Sequence, residues 1–227
     1  MNSLLNQIQI QVNSNIYLKD PTSSELGKSI ISNSIDMIGE LGLEHFTFRK
    51  LAQKLTTTES SIYRYFENKN KLLVYLTSWY WSWLEYQIAF ITSNISDPSE
   101  KLQLAIIHIC SVPNSTDKHG DINMLQLHNI VVSESSKAYL LKEVDDCNKE
   151  GFYVAYKRLT ARLSNIVLEI NPDFKFSKTL ISTIIEGIQH QKYFSSHLPS
   201  LTDISESTTP LGIFYSTMAL STIKKSA

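Results

Sequence analysis

The stretch FTFRKLAQKLTTTESSIYRYFENKNKLL, residues 46 to 73, gathers hydroxyl, guanidinium and ammonium side chains at spacings that suit contact with a nucleic acid. Between residues 46 and 71 it carries six basic side chains (Arg49, Lys50, Lys54, Arg64, Lys69, Lys71) against two acidic ones (Glu59, Glu67), a balance of +4 in a chain whose net charge is -1. Positive charge concentrated in this way gains from counterion release only where it meets phosphates. The competing reading is a solvated helical face. A helix-turn-helix needs a small residue where its helices approach, a tight turn, and polar side chains toward the major groove. Ala52 supplies the first, Leu51, Leu55, Ile62 and Phe66 can bury together, and Thr57, Thr58, Glu59, Ser60, Tyr63, Arg64 and Tyr65 are left outside. Tyrosine hydroxyls and lysine ammoniums suit phosphate contacts, which set register, whereas side chains entering the groove give specificity.

Other chemistry finds no frame. His108, His119, His128, Asp145, Asp146 and Cys147 fall at no spacing that makes a metal ligand set, a nucleophile elbow or a phosphate loop, so no enzyme activity, metal or cofactor is expected. Cys110 and Cys147 lie far apart without a CxxC, which suits a reducing compartment and argues against structural zinc. The start MNSLLNQIQIQVNSN lacks the basic n-region and apolar core of a signal peptide, which predicts a cytoplasmic location. Residues 72 to 91 are long and aromatic enough to suggest a membrane span, but Thr77, Ser78, Ser82, Glu85 and Gln87 interrupt them, so no membrane partner is expected.

The elements that must position the segment are helical. With 42% hydrophobic and 19% charged residues, the 227-residue chain is that of a folded soluble protein, long enough for a small module and a larger body. An alternation at Ile8, Ile10 and Val12 within residues 1–23 reads as an edge strand or, preferably, as an arm. Thr22-Ser-Ser-Glu25 fits a capping box for a first helix with apolar residues from Leu26 to Leu41, ended by Gly42 at positive φ. Thr47 is the N-cap of a second helix, which breaks at Thr56–Thr58 before a third through Ile62, Tyr63 and Phe66. A fourth helix runs from Asn68 without Gly or Pro as far as Pro98. Asp97-Pro98-Ser99-Glu100 starts the next, a loop follows at 113–120, and further helices fit 121–134, 137–170 with a break near Gly151, 174–197 and 211–224. The expected fold is all-α, a three-helix helix-turn-helix module (24–70) packed on a larger helical body (71–227).

The order Thr47, Tyr63-Arg64-Tyr65-Phe66 and Lys69 resembles the signature of the DNA-binding domain of the TetR family of bacterial regulators, over about residues 24–75. That resemblance implies a homodimer binding a palindromic operator in double-stranded DNA. Thr47 would cap the second helix and bond phosphate, Tyr63 and Lys69 would grip phosphates, and Thr57, Thr58, Glu59, Ser60, Arg64 and Tyr65 would approach base edges. The chain departs from the family in the turn, where Gly and then an aliphatic residue give way to Thr56 and Thr57. Glu59 suits the helix dipole yet repels phosphate, and is either a specificity residue for a cytosine amino group or plain helix support.

For the body the family implies a small-molecule sensor and a dimer interface in two late helices. Trp79, Tyr80, Trp81, Trp83 and Tyr86 read first as core packing. The sharper reading is a ligand pocket lined by Trp79, Trp83, Tyr86, His108 and His128. The pair within about 137–197, with stripes Leu159, Leu163, Ile166 and Leu180, Ile181, Ile184, Ile185, Ile188, would join the homodimer, the bland alternative being an intramolecular hairpin. A ligand that shifts the fourth helix would change the spacing of the recognition helices and release the operator, as in a repressor. The rival function is a helical dimeric adaptor without sequence-specific DNA binding.

Overall fold

The computed structural model describes residues 10–204 and 209–224, and among the described residues there are ten α-helices. They are α1 (Glu25–His45), α2 (Phe48–Lys54), α3 (Glu59–Tyr63), α4 (Lys69–Ile91), α5 (Pro98–Cys110), α6 (Met124–Glu134), α7 (Val144–Lys149), α8 (Val154–Ile170), α9 (Ser177–His197) and α10 (Thr209–Lys224). The fold is all-α with an N-terminal helix-turn-helix. One antiparallel ribbon, β1 (Lys118–His119) with β2 (Ile122–Asn123), is the only sheet among the described residues. It occupies positions read from sequence as a loop and the start of a helix. α6 begins at Met124 instead, where Asn123 Oδ1 accepts from the Gln126 amide at 3.2 Å. Of the alternation at Ile8, Ile10 and Val12, Ile8 lies outside the described residues, and Ile10 is buried in irregular backbone.

Caps decide where the helices start. Thr22 is not the first cap: Asp20 Oδ1 accepts from its amide at 2.8 Å and holds Pro21–Ser23 as a 3₁₀ turn. Ser24 caps α1, its hydroxyl accepting from the Gly27 amide at 3.1 Å. A side chain at Gly27 would collide with the Pro21 carbonyl, so only glycine lets that turn sit against α1. Gly42 takes φ +75 as its sequence position predicts. Thr47 caps α2 through the Lys50 amide at 3.2 Å, and Asp97 caps α5 through the Ser99 amide at 3.1 Å with Pro98 behind it.

The chain divides into two compact units: the described residues up to Ser82 with Pro113–Ala155, and Trp83–Val112 with those from Tyr156 onward. α4 contributes residues to both. In the first unit Phe46, Leu51, Ile62 and Phe66 are fully buried, each worth about 1.5–3 kcal/mol of transfer free energy. α1 also packs on α6, where Gly39 meets the Gln126 side chain. The arm is stitched down: Asn13 and Asn15 donate to the Glu150 carbonyl at 3.0 Å, and the Leu18 amide donates to Tyr65 O at 2.8 Å.

The second unit has its own core on α5, α8, α9 and α10, which includes Ile106, Leu159, Leu163, Ile184, Ile188 and Ala219, all fully or almost fully buried. Of the stripes on α8 and α9, Leu159, Leu163, Ile166, Ile181, Ile184, Ile185 and Ile188 are buried within the chain and Leu180 is half-buried. Large apolar side chains left exposed in this unit include Ile107, Leu168, Phe176, Leu198, Leu201, Ile213 and Phe214. Expected as one broken helix, 137–170 forms a 3₁₀ turn and the separate α7 and α8.

Candidate nucleic-acid interface

The turn between α2 and α3 is a Schellman motif. The Thr57 amide donates to the Ala52 carbonyl at 3.0 Å and the Thr56 amide to the Gln53 carbonyl at 3.2 Å, while Thr56 itself adopts φ 52. Both departures from the family pattern are thereby located. Thr56 stands at the left-handed position that glycine ordinarily fills, and Thr57 at the following position, where an apolar contact usually closes the motif. A left-handed conformation costs an L-residue about 1–2 kcal/mol, and a β-branched one is an outlier there. Thr56→Gly is therefore expected to stabilise the protein by about 1 kcal/mol, after the extra freedom of glycine in the unfolded chain is allowed for. A urea midpoint that falls instead would show that the threonine is held by contacts worth more than its strain.

Thr58 then caps α3: its hydroxyl accepts from the Ser61 amide at 3.2 Å and lies 2.9 Å from the Ser61 hydroxyl. Glu59 sits in the first turn, where its charge favours the helix dipole. Ser60 and Arg64 are exposed, Thr57 is half-buried, and Tyr63 is 46% exposed with its ring edge against Phe48 at 5.1 Å. Tyr63 is thus braced by α2 while the rest of the ring meets solvent.

Tyr65 is not on that surface. Only 3% of it is exposed, and its hydroxyl lies 2.7 Å from Ser24 Oγ, so it fastens the end of α3 to the N-cap of α1. The split of the Tyr63–Phe66 run into two exposed residues and then two buried ones is set by tertiary packing, which periodicity over so short a run does not resolve.

The six basic side chains divide as well. Lys69 donates to the Leu43 and Glu44 carbonyls at 3.0 and 3.3 Å, and Lys50 to the His45 carbonyl at 2.9 Å, so both satisfy the C-terminal end of α1. Lys71 lies 3.7 Å above the Phe152 ring and 3.9 Å from a Glu150 carboxylate oxygen. Arg49, Lys54 and Arg64 are exposed. Arg49 and Lys54, counted in the charge balance but not singled out, stand on α2 with Thr47.

The five residues read as a pocket divide between the units. Trp79 and His128 are buried in the first, Trp79 with its ring edge on His119 at 5.1 Å and His128 Nδ1 at 2.7 Å from the Tyr80 hydroxyl. Trp83 and His108 are half-buried in the second unit, and Tyr86 is exposed. Burial, aided by the nearby Lys192 charge, holds the His108 imidazole below its ordinary pKa, and its buried Nε2 has no hydrogen-bond partner. Gln189 Oε1 is likewise buried and unpartnered. Lys192 was missed: burial pulls its ammonium down to about 8, and it donates to the Ile109 and Ser111 carbonyls at 2.9 and 3.3 Å. Its signal was present, since it continues the stripe 181, 185, 188 at helical spacing on α9.

This arrangement defines the class: a helix-turn-helix protein with a partly basic, hydroxyl-rich recognition surface. Residues 30–76 match the family model described as bacterial regulatory proteins, tetR family. A search of the curated proteins finds no sequence match. Among solved structures the chain is similar to the fatty acid degradation regulator FadR from Bacillus halodurans (TM-score 0.61, 17% identity, 87% of this chain and 96% of that one). It is also similar to AibR in complex with isovaleryl coenzyme A and operator DNA (TM-score 0.58, 13% identity, 84% and 96%). A third is the ketosteroid transcriptional regulator KstR2 of Mycobacterium tuberculosis (TM-score 0.54, 16% identity, 95% and 98%). At these identities the likeness is one of fold. No helix of the described residues is long and apolar enough to cross a membrane.

Proposed function

We propose that this protein is a cytoplasmic, non-enzymatic transcriptional repressor of the TetR type, binding a palindromic operator as a homodimer and released by a small-molecule ligand. The observation that carries the reading is the helix-turn-helix inside the family match, with Ser60, Tyr63 and Arg64 exposed along and just after α3. In this reading residues 24–70 bind DNA. Arg64, Ser60, Thr57 and Glu59 meet base edges, and Thr47, Thr58 and Tyr63, joined by Arg49 and Lys54, hold phosphates. Lys69 bonds the end of α1 and presents its remaining donor capacity to phosphate.

Residues 71–227 sense and dimerise. Buried polar atoms are nearly always hydrogen-bonded, so the orphaned His108 Nε2 and Gln189 Oε1 favour a ligand among α5 and α9. Trp83 and Tyr86, which belong to the same unit, are the further candidates for contact with it. The exposed Ile213 and Phe214 of α10, with Leu198 and Leu201, are the apolar surface best suited to a second copy. α4, with residues in both units, is the element on which a ligand would act.

The test is selection of random duplex DNA on the purified protein at moderate salt, followed by sequencing of the retained fraction. The expected result is enrichment of a palindrome with half-sites about one helical turn apart. The adaptor reading is kept because Lys50, Lys69 and Lys71 are engaged with protein groups. No enrichment from folded protein would favour it.

A further inference from the structure

Within the second unit a groove of about 540 Å³ runs along α8 beside the last turns of α4 and the first of α5. At its floor Glu85 is buried, and two arginines one turn apart on α8 close on it. Arg158 Nε donates to one carboxylate oxygen at 2.6 Å and Arg162 Nε to the other at 3.3 Å. Both arginine side chains stay about half exposed, 49% and 45%, and both line the groove. Lys101 lines it as well, 3.4 Å from Glu169. The lining therefore holds three cations against two carboxylates.

A single buried carboxylate between two guanidiniums holds both in place. Each is gripped through Nε on the Glu85 side, which orients the planar fork before any ligand arrives. Neighbours four apart on a helix stand roughly 5–6 Å from one another at Cβ. A phosphoryl group offers a third acceptor oxygen and up to a second negative charge, neither of which a carboxylate has. From this geometry we propose that the groove is a binding site for a phosphorylated small molecule, its phosphoryl oxygens held by Arg158 and Arg162, with Lys101 at the rim. The proposal is independent of DNA binding, since every residue it uses lies in the second unit.

Titration calorimetry of the full chain with inorganic pyrophosphate at constant ionic strength tests it. Saturable binding is expected, weakened by about tenfold or more in Arg162→Gln, and unchanged in Lys224→Gln, which removes a charge from α10 outside the groove. Should circular dichroism show Arg162→Gln unfolded, Lys101→Gln takes its place with the same expectation. Acetate at the same concentration is expected not to compete. Absence of saturable pyrophosphate binding, equal affinity in the groove variant, or equal competition by acetate would each overturn the assignment.

Discussion

Arg64→Ala is expected to weaken operator binding by about 2–6 kcal/mol while leaving the unfolding free energy almost unchanged, because the side chain is exposed at the C-terminal end of α3. One base-edge contact by arginine is worth about 1–3 kcal/mol of discrimination. A homodimer loses it in both half-sites, which doubles the loss, and the range spans about 30-fold to 10⁴-fold in affinity. The operator variant changed at the contacted base pair should lose little further affinity. If Arg64 instead meets phosphate, binding falls evenly across sequences and the salt slope drops by about one per module. Tyr65→Phe is the contrast. It removes the hydroxyl at 2.7 Å from Ser24 Oγ and is expected to cost about 1 kcal/mol of stability, with DNA affinity of the folded protein retained. An Arg64→Ala protein that binds the operator like the parent would sink the assignment of α3 as the reading element.

The second large effect is one of pH. Burial lowers the Lys192 pKa from 10.5 to about 8 in the folded protein, whereas the unfolded side chain keeps its ordinary value. Below pH 8 both states carry the charge, and the folded state bears the full cost of burying it. Between about 8 and 10.5 the unfolded chain holds more protons than the folded one, so stability rises with pH across that window. Above it both forms are neutral and the contribution is level. The span corresponds to about 3 kcal/mol at most. Other lysines and tyrosines titrate in the same range, so the quantity to measure is the difference between the parent and Lys192→Met. Cys110, which burial pushes from 9.0 up to about 12, stays a thiol in the folded protein while the unfolded thiol ionises inside the window, so it lowers stability as pH rises there; that contribution is common to the parent and Lys192→Met and drops out of their difference. The difference should be flat below pH 8 and should then move in favour of the parent; a flat difference from 8 to 10.5 would show that the carbonyls of Ile109 and Ser111 stabilise the ammonium enough to offset its burial.

Local signals were legible because their physics is local. Thr47, Asp97 and Gly42 act within one turn of backbone, and so do the helices whose apolar residues recur at helical spacing, which is why the all-α class and the helix-turn-helix could be read from residue order alone. The strain at Thr56 was legible for the same reason: a turn that needs positive φ has the same geometry whichever residue fills it.

Whatever depends on which side chain meets which partner was decided only by the tertiary structure. Tyr63 and Tyr65 differ by two positions in sequence, yet one is half exposed and the other is buried on Ser24, a contact across 41 residues. A charge count over 46–71 could not tell Arg64 from Lys71, because the Phe152 ring that covers Lys71 is 81 positions away in the chain. The stripes on α8 and α9 announced burial without naming the surface that buries them, since hydrophobic burial is non-directional and a neighbouring helix serves as well as a second copy. The Glu85 carboxylate joins Arg158 and Arg162 only after α4 and α8 pack together, so composition and periodicity determined the helices, and three-dimensional packing alone determined which charges they share.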